Sequence, residues 1–232
     1  MNPAAMEEHV TFSSGAARLR GVLSYPEQAE PEQAVLLCSP HPHFAGDMNN
    51  NVICSIAQRL AARCAVLRFD YRGVGESEIV LAPGESAFDY WNAVEETKDY
   101  RDAVEDVSAA ARTLLAATES LGLDLSVVGY SFGAATGMLF AHRDSRVWKM
   151  VAVAPPLGKV SFAFLSDCRK PSLHLVGRKD FLYSDERITA FRRSVGLAAQ
   201  VVVLDDADHF FRGDEDLVVQ RIEEYLRGLP TV

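Results

Sequence analysis

The sequence predicts an α/β protein with a mostly parallel central sheet of about eight strands, an antiparallel hairpin at its start and helices on both faces. Two observations carry this. Short β-branched runs alternate with longer helical patterns, which is how parallel strands joined through helices read in a sequence. The start breaks that rhythm: residues 9–13 (HVTFS) and 17–24 (ARLRGVLS), separated by Ser14-Gly15-Ala16, read as two strands joined by a tight turn.

The remaining elements follow in order. Strand 33–38 (QAVLLC) leads through a polar, proline-containing stretch to helix 51–62, for which Asn49 or Asn50 is the N-cap. Strand 64–69 (CAVLRF), helix 99–117 and strand 124–129 (DLSVVG) come next. That strand gives way to helix 132–142, which contains Ala134, Ala135 and Gly137. Strand 147–154, strand 172–177 (SLHLVG), helix 184–194, strand 199–204 (AQVVVL) and helix 214–228 complete the series. With no internal repeat and no low-complexity linker, residues 1–232 read as one domain.

The exception to tight spacing is residues 78–98 (EIVLAPGESAFDYWNAVEETK), read as one long connection. A connection of that length either covers a site or packs on the surface, and Phe88, Tyr90 and Trp91 give this one apolar weight. It is the candidate for a small cap.

Composition narrows the function classes. Acidic residues outnumber basic ones by 32 to 23, the net charge is −9, and no basic stripe occurs, which argues against nucleic acid or an anionic membrane as partner. Cys38, Cys54, Cys64 and Cys168 form no C-x-x-C pair, and most lie in apolar runs where a free thiol packs as a small hydrophobe. A reducing setting is expected. The first ten residues lack a basic segment followed by an apolar one, and no run approaches 18 apolar residues, so a soluble, unexported, cytoplasmic protein is expected.

The strongest chemical signal is Gly129-Tyr130-Ser131-Phe132-Gly133, a G-x-S-x-G run at the junction of a strand and a helix. A serine there occupies a strained turn where neighbouring chain passes close to its backbone, and glycines two before and two after remove the clash. Ser131 is thereby held at a helix N-terminus, where the Phe132 N–H is free to stabilise a developing oxyanion.

Such a serine needs a base, and the base needs a group that fixes its tautomer. Strand 172–177 runs into Asp180, and strand 199–204 runs into His209, so both fall at the carboxyl edge of the sheet with Ser131. Asp180 follows Ser131 by 49 residues and His209 follows Asp180 by 29, in the order a nucleophile elbow requires. An acid after the preceding strand has no carboxylate to supply it, since that position reads Ala154-Pro155-Pro156-Leu157. Asp205, Asp206 and Asp208 are weaker rivals, so near His209 that they shape its loop. His174 inside a strand, His142 near a helix end and His9 in the hairpin are poorer bases.

In these residues the chain resembles the α/β-hydrolase family of serine hydrolases, and the resemblance runs from the first hairpin to the last helix. It includes Asp70-Tyr71-Arg72-Gly73-Val74-Gly75-Glu76-Ser77, which looks like the family's D-x-R-G-x-G-x-S turn. The stretch Ser39-Pro40-His41-Pro42-His43-Phe44-Ala45-Gly46-Asp47-Met48 directly follows strand 33–38, where the family supplies its second oxyanion N–H. It looks like a small lidless subgroup with His-Pro-His in place of His-Gly. Pro42 has no N–H, so His43 is the expected donor and Phe44 the fallback. A dinuclear metal motif H-x-H-x-D-H would need a carboxylate and a histidine where Ala45 and Gly46 stand, so no metal is expected.

The resemblance implies an acyl-enzyme on Ser131, with Asp180 and His209 as partners, and no cofactor. About 17 residues separate strands 147–154 and 172–177, too few for a large helical lid. Phe44, Tyr130 and Phe210 are the expected substrate contacts, and Phe88, Tyr90, Trp91 and Tyr183 add aromatic character near the site. A small to medium carboxylic ester or thioester is the expected substrate. Acyl transfer, peptide cleavage and a catalytically silent binding protein are the alternatives.

Overall fold

The computed structural model describes residues 5–44 and 46–229. Among these described residues, eight strands form one sheet: β1 (Ala5–Ser14), β2 (Ala17–Pro26), β3 (Ala34–Cys38), β4 (Ala65–Phe69), β5 (Leu125–Tyr130), β6 (Val147–Val153), β7 (Ser172–Gly177) and β8 (Ala199–Leu204). Their order across the sheet is β1-β2-β4-β3-β5-β6-β7-β8. The hairpin β1–β2 is antiparallel and β2 joins β4 antiparallel, while every pairing from β4 to β8 is parallel. The hairpin is longer than the sequence pattern indicates, with Ala5 opposite Pro26. Its outer strand carries Glu7, Glu8 and His9 on exposed positions, so hydrophobic patterning has nothing to mark there.

Among the described residues, six α-helices cover the sheet: α1 (Asn51–Leu60), α2 (Ala87–Thr97), α3 (Arg101–Ala117), α4 (Phe132–Arg143), α5 (Asp185–Ser194) and α6 (Glu215–Leu226). The strands β3, β4, β5 and β7 are buried along their whole length. Parallel strands with helices on both faces have no solvent side. One apolar cluster joins Leu36, Leu67 and Val127 to α3 and α4, and the other joins Leu37, Val66 and Val128 to α1 and α6. Successive residues of β3 and β5 therefore feed opposite layers, as the two-residue strand period demands.

Helix α2 lies within the stretch read from sequence as one long connection. Ser86 caps it, accepting the Asp89 N–H while the Asp89 carboxylate accepts the Ser86 N–H. This reciprocal box is a local start signal that the aromatic content of the segment obscured. Trp91 is buried in the core and donates from Nε1 to the Arg72 carbonyl at 3.1 Å. Between β6 and β7 the described residues form a single 3-10 turn, Ala163–Leu165, and an isolated bridge between Leu157 and Val160.

Register sets the site. Cys38 stands opposite Gly129, so the chain leaving β3 emerges beside the turn after β5. Gly177 stands opposite Leu204, so the loops leaving β7 and β8 emerge side by side.

Candidate active site

Ser131 sits between β5 and α4 with φ 54° and ψ −112°. A non-glycine residue in the left-handed region costs about 1–3 kcal/mol and needs surrounding structure to hold it. Its N–H donates to the Val153 carbonyl at 2.8 Å and its carbonyl accepts the Ala134 N–H at 3.0 Å. The flanking glycines are there for space. A Cβ on Gly129 would lie 2.1 Å from the Gly133 oxygen, and one on Gly133 would lie 2.0 Å from the Cys38 oxygen. Among the described residues, the Phe132 N–H at the start of α4 meets no acceptor.

The expected partners converge on this serine. Ser131 Oγ lies 3.0 Å from His209 Nε2, and His209 Nδ1 lies 2.7 Å from Asp180 Oδ2. His209 and Asp180 are both buried. The second Asp180 oxygen accepts the Leu182 N–H at 2.7 Å, and the Tyr130 hydroxyl donates to the His209 carbonyl at 2.9 Å. The rival carboxylates point elsewhere. Asp205 pairs with Arg178 at 2.6 Å and Asp206 with Lys179 at 2.8 Å. Asp208 accepts the N–H groups of Phe210 and Phe211, which bends the loop that presents His209.

The stretch after β3 differs from expectation. The His43 N–H, read from sequence as an oxyanion donor, instead donates to His41 Nδ1 at 3.2 Å. The fallback Phe44 N–H donates to the His41 carbonyl at 2.9 Å. Pro40 and Pro42 carry no N–H. Within Pro40–Phe44 the amide left without an acceptor among the described residues is that of His41. The physical reason is the imidazole itself, a side-chain acceptor two residues before a backbone donor, which sequence spacing does not reveal. Asn50 provides the cap of α1, accepting the Val52 N–H at 3.0 Å. Asp70, at the start of the glycine-rich turn, accepts the Met48 N–H at 2.7 Å and so ties this stretch to β4. Burial pushes the Asp70 carboxyl up to about 6, with the Met48 bond opposing.

Residues 48–179 match the family model described as serine aminopeptidase, S33. The chain belongs to this family of α/β hydrolases. It is 28% identical over 227 residues to the uncharacterized protein RP471 of Rickettsia prowazekii, covering 94% of this chain and 87% of that one. Among solved structures, an α/β serine hydrolase homologue from Coxiella burnetii has a TM-score of 0.78 at 27% identity, covering 94% of this chain and 97% of that one. XC6422 of Xanthomonas campestris, described as an α/β serine hydrolase without a lid, has a TM-score of 0.77 at 22% identity, covering 97% and 96%.

In this hydrolase Ser131 and His209 open onto a cavity of about 260 Å³. Its walls are mostly apolar, with Tyr100, Phe132, Val160 and Leu182 inside and Phe44, Phe181 and Phe210 exposed at the rim. Of the expected contacts, Phe44 and Phe210 are at the mouth. Tyr130 lines the cavity, but its hydroxyl is engaged by the His209 loop. Phe88 stacks on His43 with centroids 4.4 Å apart. Tyr90 bonds Asp102 and Tyr183 bonds Asp185, both through their hydroxyls.

Sequence reasoning missed Phe181 and the two charged lining residues, Glu95 and Lys159. Phe181 directly follows Asp180, and an aromatic residue beside a candidate acid at the sheet edge was the available signal. Among the described residues, no three His, Cys, Asp or Glu side chains group to hold a metal ion, and no helix is long and apolar enough to cross a membrane.

Proposed function

We propose that this hydrolase cleaves a small to medium carboxylic ester or thioester through an acyl-enzyme on Ser131. One observation carries the reading: the Ser131–His209–Asp180 chain, at 3.0 and 2.7 Å, opens onto a largely apolar cavity. His209 Nε2 takes the proton as Oγ attacks the carbonyl carbon, and Asp180 holds Nδ1–H and offsets the imidazolium charge. The carbonyl electron pair moves to oxygen, where the Phe132 and His41 N–H groups receive it. Each such donor is worth about 10²–10³ in rate. The intermediate collapses, the leaving oxygen or sulfur takes the proton from Nε2, and water repeats the sequence to release the acid.

The exposed Phe44, Phe181 and Phe210 favour an apolar acyl or alcohol group that continues out of the cavity. Helix α2 supplies Glu95 to the wall and stacks Phe88 on His43, which fits a small fixed cap over one side. The net charge of −9 fits a small-molecule substrate better than nucleic acid or an anionic membrane. Four free cysteines fit a reducing, cytoplasmic setting, and the reaction needs no cofactor.

A second reading, cleavage of an amide beside a free amino group, draws on the Glu95 carboxylate in the cavity wall and on the family description. Parallel turnover of p-nitrophenyl esters, acyl thioesters and amino-acid p-nitroanilides, each with a Ser131→Ala control, separates the two. Faster Ser131-dependent turnover of anilides than of esters would replace the first reading by the second.

A further inference from the structure

The mechanism uses the backbone of His41 and leaves its ring unassigned. That ring is buried, with Phe132 edge-on at 5.0 Å and Trp91 at 5.8 Å between centroids. Because Nδ1 accepts the His43 N–H, the proton of the neutral ring resides on Nε2. Nε2 is buried with no hydrogen-bond partner among the described residues, and Glu95 Oε2 lies 4.0 Å away. Burial lowers the imidazole to about 4 against the opposing pull of Glu95, so Nδ1 keeps its lone pair at neutral pH.

A side-chain acceptor taking the N–H two residues ahead is the geometry of an Asx turn, here built with an imidazole. The Phe44 N–H closes onto the His41 carbonyl in the same stretch. Gly46 packs against the start of the turn: a Cβ there would lie 2.2 Å from the Pro40 and His41 oxygens. The N–H groups of His43 and Phe44 are thus both taken by His41, and the His41 N–H meets no acceptor among the described residues.

We propose that the His41 side chain is a positioning residue for the oxyanion hole: by holding the His43 N–H on Nδ1, it fixes the loop so that the His41 backbone N–H serves as the second donor with Phe132. This rests on the reading of Ser131 as an acyl nucleophile. The ring does not touch the reacting atoms. It acts only through the course of the chain.

The test exploits the fact that His41→Asn, His41→Gln and His41→Leu all keep the backbone N–H, so a rate loss reports loop position. Asparagine places its side-chain oxygen near Nδ1, glutamine places it near Nε2, and leucine offers none. With p-nitrophenyl acetate and the full chain, His41→Leu and His41→Gln should lose about 10²-fold in kcat with KM within about threefold. His41→Asn should recover about tenfold or more of that loss. Equal rates for the Asn and Gln variants, wild-type kcat in all three, or a change confined to KM would overturn the proposal. A reading independent of variant folding is the ¹⁵N spectrum of the wild-type imidazoles at neutral pH. The Nε2-protonated tautomer is expected for His41, and an Nδ1-protonated ring overturns the assignment. Absence of ester turnover and of fluorophosphonate labelling in the wild type would sink the nucleophile reading and this proposal with it. Normal wild-type turnover with Asn and Gln variants alike sinks this proposal alone.

Discussion

Asp180 splits its carboxylate between two partners: Oδ1 accepts the Leu182 N–H at 2.7 Å, while Oδ2 meets His209 Nδ1 at 2.7 Å. The backbone bond decides what an amide would do in its place. In Asp180→Asn the side-chain oxygen stays on the Leu182 N–H, and the NH2 group then faces Nδ1. The ring must turn Nδ1 into an acceptor and carry its proton on Nε2, where it can no longer take one from Ser131. We expect kcat for ester hydrolysis to fall about 10³–10⁴-fold with the fold unchanged by circular dichroism. A loss under tenfold would remove Asp180 from the mechanism.

Gly133 tests the elbow through packing alone. An alanine Cβ would lie 2.0 Å from the Cys38 carbonyl oxygen, a backbone atom in the fully buried strand β3. Neither side can yield without moving the sheet or α4. Gly133→Ala should therefore cost about 3 kcal/mol or more in urea unfolding, with activity lost in step. Stability within about 0.5 kcal/mol of wild type would show that the elbow has slack the geometry does not indicate.

Arg72 and Asp106 anchor the glycine-rich turn. Asp106 is fully buried and takes Arg72 Nη2 at 2.7 Å, the Arg72 N–H at 3.0 Å and the Ser14 hydroxyl at 2.6 Å. Removing it leaves a largely buried guanidinium with the outer carboxylates Asp102 and Glu105, the Asp102 carbonyl and the Ser14 hydroxyl. Asp106→Ala should destabilise the protein by about 3–5 kcal/mol. Because the Arg72 carbonyl holds Trp91, protease cleavage within α2 should also rise. Unchanged urea midpoints would contradict this.

His174 gives the stability a sign with pH. Burial in β7 lowers its imidazole from 6.5 to about 4. As pH falls below 6.5 the unfolded chain takes the proton first, so this contribution to stability is complete above 6.5 and is lost as pH drops toward 4. The full loss amounts to about 3 kcal/mol. Asp70, raised to about 6, acts in the opposite sense, so the comparison belongs between wild type and His174→Gln. The variant's stability should fall less steeply between these pH values in urea titrations. Parallel curves would show that His174 does not titrate with unfolding.

The parts of the site legible in sequence are those whose geometry is local. Ser131 is marked by glycines that must stand two residues away on each side, and Asp180 and His209 each end a strand. Their meeting depends on register, which no single segment encodes. Other features were hidden by competition. The His43 N–H was expected to face the nucleophile, but the adjacent imidazole captured it. Helix α2 escaped notice although Ser86 and Asp89 form its capping box, because its aromatic residues read as cover for a site rather than as anchors in the core. Of these, Trp91 is core and Phe88 is outside it.

The central claim is that Ser131 forms the covalent intermediate, and intact-mass analysis after exposure to a fluorophosphonate tests it most directly. The folded wild-type chain should gain one phosphonyl group, mapped to Ser131 by peptide sequencing, with ester turnover lost in proportion. Ser131→Ala should gain none and turn over no ester. An unlabelled Ser131 in the folded wild type, or undiminished turnover in Ser131→Ala, would contradict the account.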